Sequence, residues 1–312
     1  MTSIAQKPYP ALTKRLRTAA ALILLSIVML WGAAIGGIYA WGLIGFSYFF
    51  LIIVAAELVS TCALSPLHNT SFGSLVSKTT FIIGLLFTPS VLLMLRYDQS
   101  WFFLESHDHF MLPYMVVGGT ISLFVCLLPI VFQTDTSIEI LEKKVLERMI
   151  AVFFVAIGGG SFMALVSAEH ATELYLWFIA VVAMNDSGAY FVGAKISSPP
   201  LSPVLSPKKT VLGSVGGLVF GVGTGILLVW ILPLDLSQWS SNSWIFFIVG
   251  TTMLVLFAQL GDLLKSMLKR SHGIKDMSSL LPGHGGMLDR LDGILAACPY
   301  FLAFYLLLES LA

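Results

Sequence analysis

Charged residues are scarce in this sequence, because they make up only 11% of its 312 positions, whereas a typical soluble domain carries about 25%. Apolar residues occupy 57% of the positions. Charges this sparse do not cover the surface of a water-soluble protein of this size, so much of the apolar surface must face lipid. Basic and acidic residues number 17 each, and the formal net charge is zero. This balance argues against a nucleic-acid partner.

Cysteine is also rare. The three cysteines, Cys62, Cys126 and Cys298, lie far apart in apolar stretches, and none belongs to a Cys-x-x-Cys pair. A disulfide framework or a zinc site is therefore not expected, and each cysteine is interpreted as a small core residue. The sequence also lacks a P-loop, because the glycines between Gly213 and Gly225 do not form a Gly-Lys-Ser/Thr motif after a strand. They predict close helix packing instead.

Long apolar runs, in contrast, are abundant. A membrane-spanning helix needs roughly 20 mostly apolar residues. Nine segments satisfy this, near residues 19–40, 43–64, 79–96, 112–133, 149–168, 174–194, 211–232, 244–264 and 293–311. The first follows Lys14, Arg15 and Arg17, but its apolar run exceeds the ~7–15 residues of a signal-peptide core, so we expect it to remain as a membrane helix. The sequence predicts an all-α polytopic membrane protein with about nine transmembrane helices.

The basic residues predict the orientation of these helices. With the N-terminus in the cytoplasm, 16 of the 17 basic residues fall on the cytoplasmic side and only Arg96 falls outside, which satisfies the positive-inside rule. The cytoplasmic set is Lys7, Lys14, Arg15, Arg17, Lys78, Lys143, Lys144, Arg148, Lys195, Lys208, Lys209, Lys265, Lys269, Arg270, Lys275 and Arg290. Segment 134–148 combines charges with apolar residues at helical spacing. It is interpreted either as an amphipathic helix on the inner membrane face or as an extension of the next helix.

Three carboxylates interrupt the apolar spans: Glu57, Asp186 and Asp262. An ionised carboxylate at membrane depth costs several kcal/mol and marks a functional-site hypothesis. Glu57 stands in an otherwise apolar stretch and is interpreted as structural, bonding a neighbouring helix. Asp186 follows Asn185 among small polar residues, and Asp262 lies near the inner end of its span, close to Lys265. The latter two are the stronger candidates for a site.

The segment 266–293 is the densest polar stretch of the chain. It combines Lys269, Arg270, Lys275 and Arg290 with Asp276, Asp289, Asp292 and the run Pro282-Gly283-His284-Gly285-Gly286. Adjacent glycines allow several backbone N–H groups to point at an anion, and residues three apart share one face of a helix. Carboxylates for Mg²⁺, cations for phosphate oxygens and a glycine turn are the parts of a magnesium–polyphosphate site. The alternative is a solvated loop whose charges only set the topology.

A second basic segment, 194–217, contains Ser206-Pro207-Lys208-Lys209-Thr210. Lys208 and Lys209 are placed to bind phosphate. Ordinary inside-positive topology explains the two lysines equally well at this level.

These polar segments resemble the signature of the phosphatidate cytidylyltransferase family. The matching residues are Ser266-x-x-Lys269-Arg270, Lys275-Asp276, Pro282-Gly283-His284-Gly285-Gly286 and Asp289-Arg290-x-Asp292. Residues 186–191 and 206–210 are similar to two further motifs of that family, in the same chain order. The resemblance covers residues 185–293, while the first 170 residues match only in being apolar and multi-spanning.

The resemblance implies an Mg²⁺-dependent nucleotidyltransferase that converts CTP and phosphatidic acid into CDP-diacylglycerol and pyrophosphate, in phospholipid biosynthesis. It implies a catalytic set of Asp289, Asp262, Asp186, Lys269 and Arg270, with the three aspartates as metal ligands. It implies substrate binding by Ser206, Lys208, Lys209, Lys275, Asp276, His284, Gly285, Gly286, Arg290 and Asp292.

The resemblance also predicts the setting of the enzyme. We expect it in a bacterial inner membrane, in contact with membrane lipid, with the active site facing the cytoplasm. Residues 1–170 are expected to shape lipid entry or dimer contacts and residues 171–312 to carry the catalytic motifs, within a single membrane domain. A second cation and a homodimer are left open.

The sequence departs from the family pattern at one place. Members usually continue Ser-Pro-Lys-Lys-Thr with Trp-Glu-Gly, whereas this chain continues with Val211-Leu212-Gly213. The missing carboxylate leaves open a related CTP-dependent membrane enzyme that acts on another lipid phosphate or a lipid alcohol. A secondary transporter is the alternative of another class, since intramembrane acids and glycine-interrupted helices also fit one. A CDP-alcohol phosphotransferase is disfavoured because its Asp-Gly-x-x-Ala-Arg pattern is absent.

Overall fold

A computed structural model of the chain describes residues 38–63, 71–97, 111–131, 137–165, 171–232, 241–281 and 285–311. The helices are α1 (Ile38–Ala63), α2 (Ser71–Tyr97), α3 (Met111–Val131), α4 (Ile138–Ala151), a π-helical segment (Val152–Gly159), α5 (Gly160–Leu165), α6 (Ala171–Lys195), α7 (Val211–Ile231), α8 (Ser241–Ser271) and α9 (Leu288–Leu311). Two short strands, β1 (Pro200–Ser202) and β2 (Ser206–Thr210), lie between α6 and α7.

The helical architecture is that of a polytopic membrane protein. Seven stretches of the described residues are long and apolar enough to cross a membrane, namely Ile44–Cys62, Pro113–Ile130, Ile138–Leu165, Thr172–Lys195, Val211–Ile231, Trp244–Ser271 and Leu288–Leu308. The predicted span 79–96 lies within α2, which is not among these seven. The predicted span 19–40 lies almost wholly outside the described residues. The count of nine and the cytoplasmic N-terminus therefore stay predictions.

Helix α4 runs without a break into the π-helical segment and α5, so residues 138–165 form one continuous helix. Residues 138–148 of segment 134–148 thus extend the next helix, which was one of the two interpretations of that segment. Residues 134–136 lie outside the described residues. Glycines let the π-helical segment pack closely against α9 and α1. A Cβ atom at Gly158 would collide with the carbonyl oxygen of Leu295, and one at Gly159 would lie 2.6 Å from Cδ2 of Leu51.

The buried apolar residues form two clusters. The first joins α6, α8 and α9, where the rings of Phe178 and Phe301 stack with centroids 4.6 Å apart. The second contains Leu51 of α1 and Phe154 of the π-helical segment, together with Leu268 of α8. The C-terminal end of α8 and the N-terminal end of α9 therefore pack on helices from the N-terminal region.

Helices α6 and α7 pack closely because glycines line their contact, as the sequence predicts. A Cβ atom at Gly188 would lie 2.6 Å from Cβ of Phe220, and one at Gly217 would lie 2.5 Å from Oδ1 of Asn185. The close approach leaves Asn185 buried within the candidate membrane span Thr172–Lys195.

The polar segments differ in form from the loops that the sequence suggests. Strands β1 and β2 pair as an antiparallel hairpin that the sequence analysis did not predict. The hairpin leads into α7, where the Thr210 Oγ1 atom accepts a hydrogen bond from the Gly213 N–H (3.1 Å) and caps the helix. Helix α8 continues to Ser271 and α9 begins at Leu288, so the connection is 272–287 rather than 266–293. Lys269, Arg270, Asp289, Arg290 and Asp292 are consequently helical residues.

Candidate active site

A buried lysine is the centre of the polar cluster. Lys265, on α8, is 6% exposed. Its Nζ atom lies 2.9 Å from Oδ1 of Asp262, 2.5 Å from Oδ2 of Asp292 and 3.9 Å from Oδ1 of Asp289. It also donates a hydrogen bond to the main-chain oxygen of Asp289 (3.3 Å). Asp289 and Asp292, three residues apart on α9, thus share a helix face, as their spacing predicts.

Asp289 joins this cluster to the connection 272–287. Its Oδ1 atom accepts a hydrogen bond from Lys269 Nζ at 2.8 Å. Its Oδ2 atom accepts hydrogen bonds from the N–H groups of Met277 (2.9 Å) and Gly286 (3.0 Å). One oxygen therefore orders the connection, and the other faces the two lysines of α8.

The hairpin brings a further cation to the cluster. Lys209, on β2, forms an ion pair with Oδ2 of Asp262. Partial burial lowers the pKa of the Lys209 ammonium from its ordinary value, and the nearby Asp186 carboxylate raises it in part. The Arg270 Nε atom donates to the Leu205 carbonyl oxygen (3.4 Å), which links the end of α8 to the hairpin turn.

A cavity of about 430 Å³ lies beside this cluster, between α6, α7, α8 and the hairpin. Its polar lining includes Asp186, Lys208, Lys209 and Asp262. Tyr190 on α6 adds an apolar wall and is itself 73% exposed. The cavity thus combines both signs of charge with an apolar side.

A network of amides fixes the deep side of the cavity. Gln259 Nε2 donates to Asn185 Oδ1 (2.7 Å) and to the Ser214 carbonyl oxygen (3.0 Å), and Ser214 Oγ donates to Gln259 Oε1. Asn185 Nδ2 in turn donates to Asp186 Oδ1 (3.0 Å). These hydrogen bonds connect α6, α7 and α8 and orient the Asp186 carboxylate.

The chemistry of the site suits a cation. Carboxylate oxygens of Asp262, Asp289 and Asp292 converge on one point, where the ammonium of Lys265 lies. Within the described ranges, no group of three or more His, Cys, Asp and Glu side chains is arranged to hold a metal ion by itself. One or two carboxylates completed by substrate phosphates and water are the usual ligands of Mg²⁺. The site supplies carboxylates of that kind, and Mg²⁺ binding by them stays a prediction.

The structure brings most of the predicted residues to one region. Asp262 and Asp292 both pair with Lys265, and Asp289 pairs with Lys269. Asp186, Lys208 and Lys209 line the adjoining cavity. Ser206 belongs to the hairpin, while the side chains of Lys275, Asp276 and Arg290 are exposed. His284, with Pro282 and Gly283, lies outside the described residues.

Gly285 and Gly286, both predicted to bind substrate, determine the backbone conformation just before α9. Gly285 has φ +82°, which favours glycine, and a Cβ atom there would lie 2.8 Å from Oδ2 of Asp289. The N–H group of Gly286 donates to the same oxygen. Contact of these glycines with a nucleotide stays a prediction.

The sequence analysis did not assign two residues that the structure places at the site: Lys265 and Gln259. Lys265 follows Asp262 by three residues, so the helical spacing was a usable signal. Gln259 precedes Asp262 by the same interval on α8. Glu57 was interpreted as bonding a neighbouring helix, and it accepts hydrogen bonds at the start of α9.

Comparison with known proteins identifies the family. The profile described as the cytidylyltransferase family matches residues 13–308. The phosphatidate cytidylyltransferase of Staphylococcus haemolyticus (strain JCSC1435) is 37% identical over 151 residues, which are 48% of this chain and 55% of that protein. The enzyme of the same name from Bacillus subtilis (strain 168) is 43% identical over 139 residues, 44% of this chain and 48% of that protein. The one from Haemophilus influenzae (strain Rd) is 39% identical over 142 residues, 44% and 46% of the respective chains.

The chain spans about half the length of these curated relatives. The family profile, by contrast, extends over nearly the whole sequence. The chain belongs to the cytidylyltransferase family.

Proposed function

We propose that this chain transfers the cytidylyl group of CTP to phosphatidic acid, forming CDP-diacylglycerol and pyrophosphate. The observation that carries the proposal is the cluster of Asp262, Asp289 and Asp292 around Lys265, beside a cavity with further lysines. The curated relatives named phosphatidate cytidylyltransferase support the choice of reaction.

In this reaction a phosphate oxygen of the lipid attacks the α-phosphorus of CTP. The bond from that phosphorus to the β-phosphate oxygen breaks, and pyrophosphate leaves with the electron pair. The nucleophile is already anionic, so a strong general base is not required. Catalysis consists of positioning and charge neutralisation.

The lysines of the cluster are placed to neutralise the phosphates. Lys208 and Lys209 line the cavity from the hairpin, and Lys269 approaches from α8, where it is paired with Asp289. Two polyanionic substrates repel each other strongly in a site of low dielectric constant. Cations held by carboxylates before binding can exchange those partners for phosphate oxygens.

Asp262 and Asp289 would hold Mg²⁺ together with substrate phosphates in this proposal, while Asp186 lines the adjoining cavity. The ion would polarise the phosphoryl oxygens and offset the charge that develops during transfer. Lys265 would keep Asp262, Asp289 and Asp292 close together despite their mutual repulsion.

The lipid substrate would enter from the side. Tyr190 lines the cavity and is 73% exposed, and Phe191 next to it is 55% exposed. In a membrane, such apolar surface contacts acyl chains. A phosphate group could therefore reach the lysines while its acyl chains stay in the bilayer.

Turnover of labelled CTP by the purified full chain tests the proposal. Phosphatidic acid and Mg²⁺ should give CDP-diacylglycerol and pyrophosphate in equal amounts, and EDTA should stop the reaction. If phosphatidic acid gives no product, the proposed substrate is wrong.

A cytidylyltransferase or kinase for another lipid is the second candidate, and Leu212 is the observation that favours it. Leu212 stands in the first turn of α7, and its N–H group donates to Ser198 Oγ (3.0 Å). It does not line the described cavity. A panel of lipid phosphates and lipid alcohols, assayed with the same labelled CTP, separates the two candidates.

The orientation and assembly are part of the proposal. The N-terminus and the site would face the cytoplasm of a bacterial inner membrane, as the distribution of basic residues indicates. Labelling of a single cysteine introduced at Lys195 by a membrane-impermeant thiol reagent should occur only from the cytoplasmic side. Chemical cross-linking in native membranes would decide between a monomer and the homodimer that the sequence analysis leaves open.

A further inference from the structure

Glu57 is a buried carboxylate that the proposed chemistry does not use. It lies on α1 and is 6% exposed. Its Oε1 atom accepts hydrogen bonds from Ser278 Oγ (2.6 Å) and from the Met287 N–H (2.8 Å), and its Oε2 atom accepts one from the Leu288 N–H (2.9 Å). All three donors belong to the connection 272–287 or to the first residue of α9.

Two of these donors are N–H groups at the start of a helix. The first N–H groups of a helix have no partner within it, and the helix dipole favours negative charge there. Glu57 supplies both the acceptors and the charge for Met287 and Leu288. Asp289 takes the neighbouring N–H of Gly286, so two carboxylates share the start of α9.

The contact between Glu57 and the connection leaves no room for a side chain. A Cβ atom at Gly286 would lie 2.8 Å from both carboxylate oxygens of Glu57. Real Cβ atoms essentially never approach so closely. The absence of a side chain at Gly286 therefore lets the Glu57 carboxylate reach the N–H groups of Met287 and Leu288.

Helix α4 holds the other end of the same connection. Lys143 Nζ donates to the Ser271 carbonyl oxygen at 2.6 Å. The His272 Nε2 atom lies 3.3 Å from Oε1 of the buried Glu147. Helices of the N-terminal region thus contact the connection where it begins and where it ends.

We propose that Glu57 is a positioning residue for the reaction. It holds Ser278, Met287 and Leu288. Through their neighbours Met277 and Gly286, it holds the N–H groups that orient Asp289 toward Lys265 and Lys269. Glu57 does not line the described cavity, so it acts without touching substrate. The inference rests on the proposed function for its kinetic consequence, but the structural contact is independent of it.

The variant Glu57→Gln tests this role. The amide keeps one acceptor but turns an NH₂ group toward a backbone donor, so one buried N–H loses its partner. We expect kcat to fall at least about tenfold, the size expected for one hydrogen bond to a charged group. The KM for CTP should change by less than about twofold, since no substrate contact is lost. Amide hydrogen exchange at Met287 and Leu288 should accelerate at least about tenfold.

Two further variants keep the test decisive. Thr61→Val is the matched control on α1, because Thr61 Oγ1 donates only to the main-chain oxygen of Glu57 (2.9 Å). It should behave as the wild type. Ser278→Ala removes one of the three hydrogen bonds to Glu57, together with the acceptor of the Leu280 N–H. It should give a smaller effect in the same direction at Met287 and Leu288, even if Glu57→Gln does not fold.

Unchanged exchange at Met287 and Leu288 in Glu57→Gln would overturn the proposal. A raised KM with an unchanged kcat would also overturn it, because Glu57 would then contribute to substrate binding. If the wild type turns over no lipid acceptor, the proposed function fails instead. The exchange measurement still decides whether Glu57 holds the connection.

Discussion

Two groups of buried carboxylates meet at the connection 272–287, and their partners differ. Asp262, Asp289 and Asp292 are paired with the lysine cations of α8 and the hairpin. Glu57 accepts hydrogen bonds from one hydroxyl and two backbone N–H groups. Ion-paired side chains can exchange partners when phosphates arrive. Backbone donors are fixed by the fold, so Glu57 is suited to holding a structure in place.

The largest expected effect on turnover comes from the ion-paired carboxylates. Asp289→Asn should lower kcat at least about 100-fold, as the loss of a charge at the reacting phosphates commonly does. The amide keeps an oxygen for the N–H groups of Met277 and Gly286, so the variant should remain folded in detergent. Turnover of labelled CTP measures the effect. A rate near that of the wild type would remove Asp289 from the catalytic set. A fall in kcat smaller than that of Glu57→Gln would mean that Glu57, rather than the ion-paired aspartates, matters more for turnover.

Removal of the Lys265 ammonium should lower the free energy of unfolding. Lys265→Met leaves three carboxylates without their shared partner in a buried site, and such a loss costs about 3–5 kcal/mol. Thermal unfolding in detergent measures it. Lys78→Met, at an exposed position of α2, is the control and should stay within about 0.5 kcal/mol of the wild type. Equal stability of the two variants would contradict a charged cluster around Lys265.

A methyl group added at Gly286 tests whether the Glu57 carboxylate is held in place, because the methyl group would collide with its oxygens. Gly286→Ala should lower the free energy of unfolding by about 1–3 kcal/mol, the usual cost of overpacking. Gly223→Ala is the matched control, because a Cβ atom there meets nothing within 4 Å. The two effects should be coupled, so the double variant of Gly286→Ala with Glu57→Gln should deviate from additivity by more than about 0.5 kcal/mol. Strict additivity would show that the methyl group does not disturb Glu57.

The smallest expected effect concerns the pH profile. The pKa of Lys209 is lowered by burial, so its ammonium loses the proton at a lower pH than an ordinary lysine. As the pH rises through that lowered pKa, the ion pair with Asp262 is lost and KM for CTP should increase. Arginine stays charged at all accessible pH values, so Lys209→Arg should keep KM constant over the same range. Lys195→Arg, at an exposed position, is the control and should retain the wild-type dependence of KM on pH. If Lys209→Arg also showed the wild-type dependence, the lowered pKa of Lys209 would be contradicted.

The helical fold was predictable because it depends on local properties. Apolar runs of membrane length are visible in the sequence, and seven of the nine predicted spans match described helices that could cross a membrane. The hairpin β1–β2 was not predicted, because strands of three and five residues rich in serine and proline give no periodic signal. The helix ends at Ser271 and Leu288 were also missed, since charged residues there ended the apolar runs early.

The candidate site was predictable in its composition but not in its pairing. Asp262, Asp289 and Lys269 stand out as polar residues in or beside apolar spans. Which of them meet depends on contacts between α8 and α9. Lys265 was overlooked as a site residue because a single lysine near the end of a span is also what topology requires.

The sequence by itself determined that this chain is a helical membrane protein and that its polar residues concentrate near two connections, because composition and spacing are local properties. Only the tertiary structure decided that Glu57 holds the connection before α9. The residues that it bonds lie between 221 and 231 positions away. No pattern within one helix specifies a partner at that distance, since the partner is set by how the helices pack.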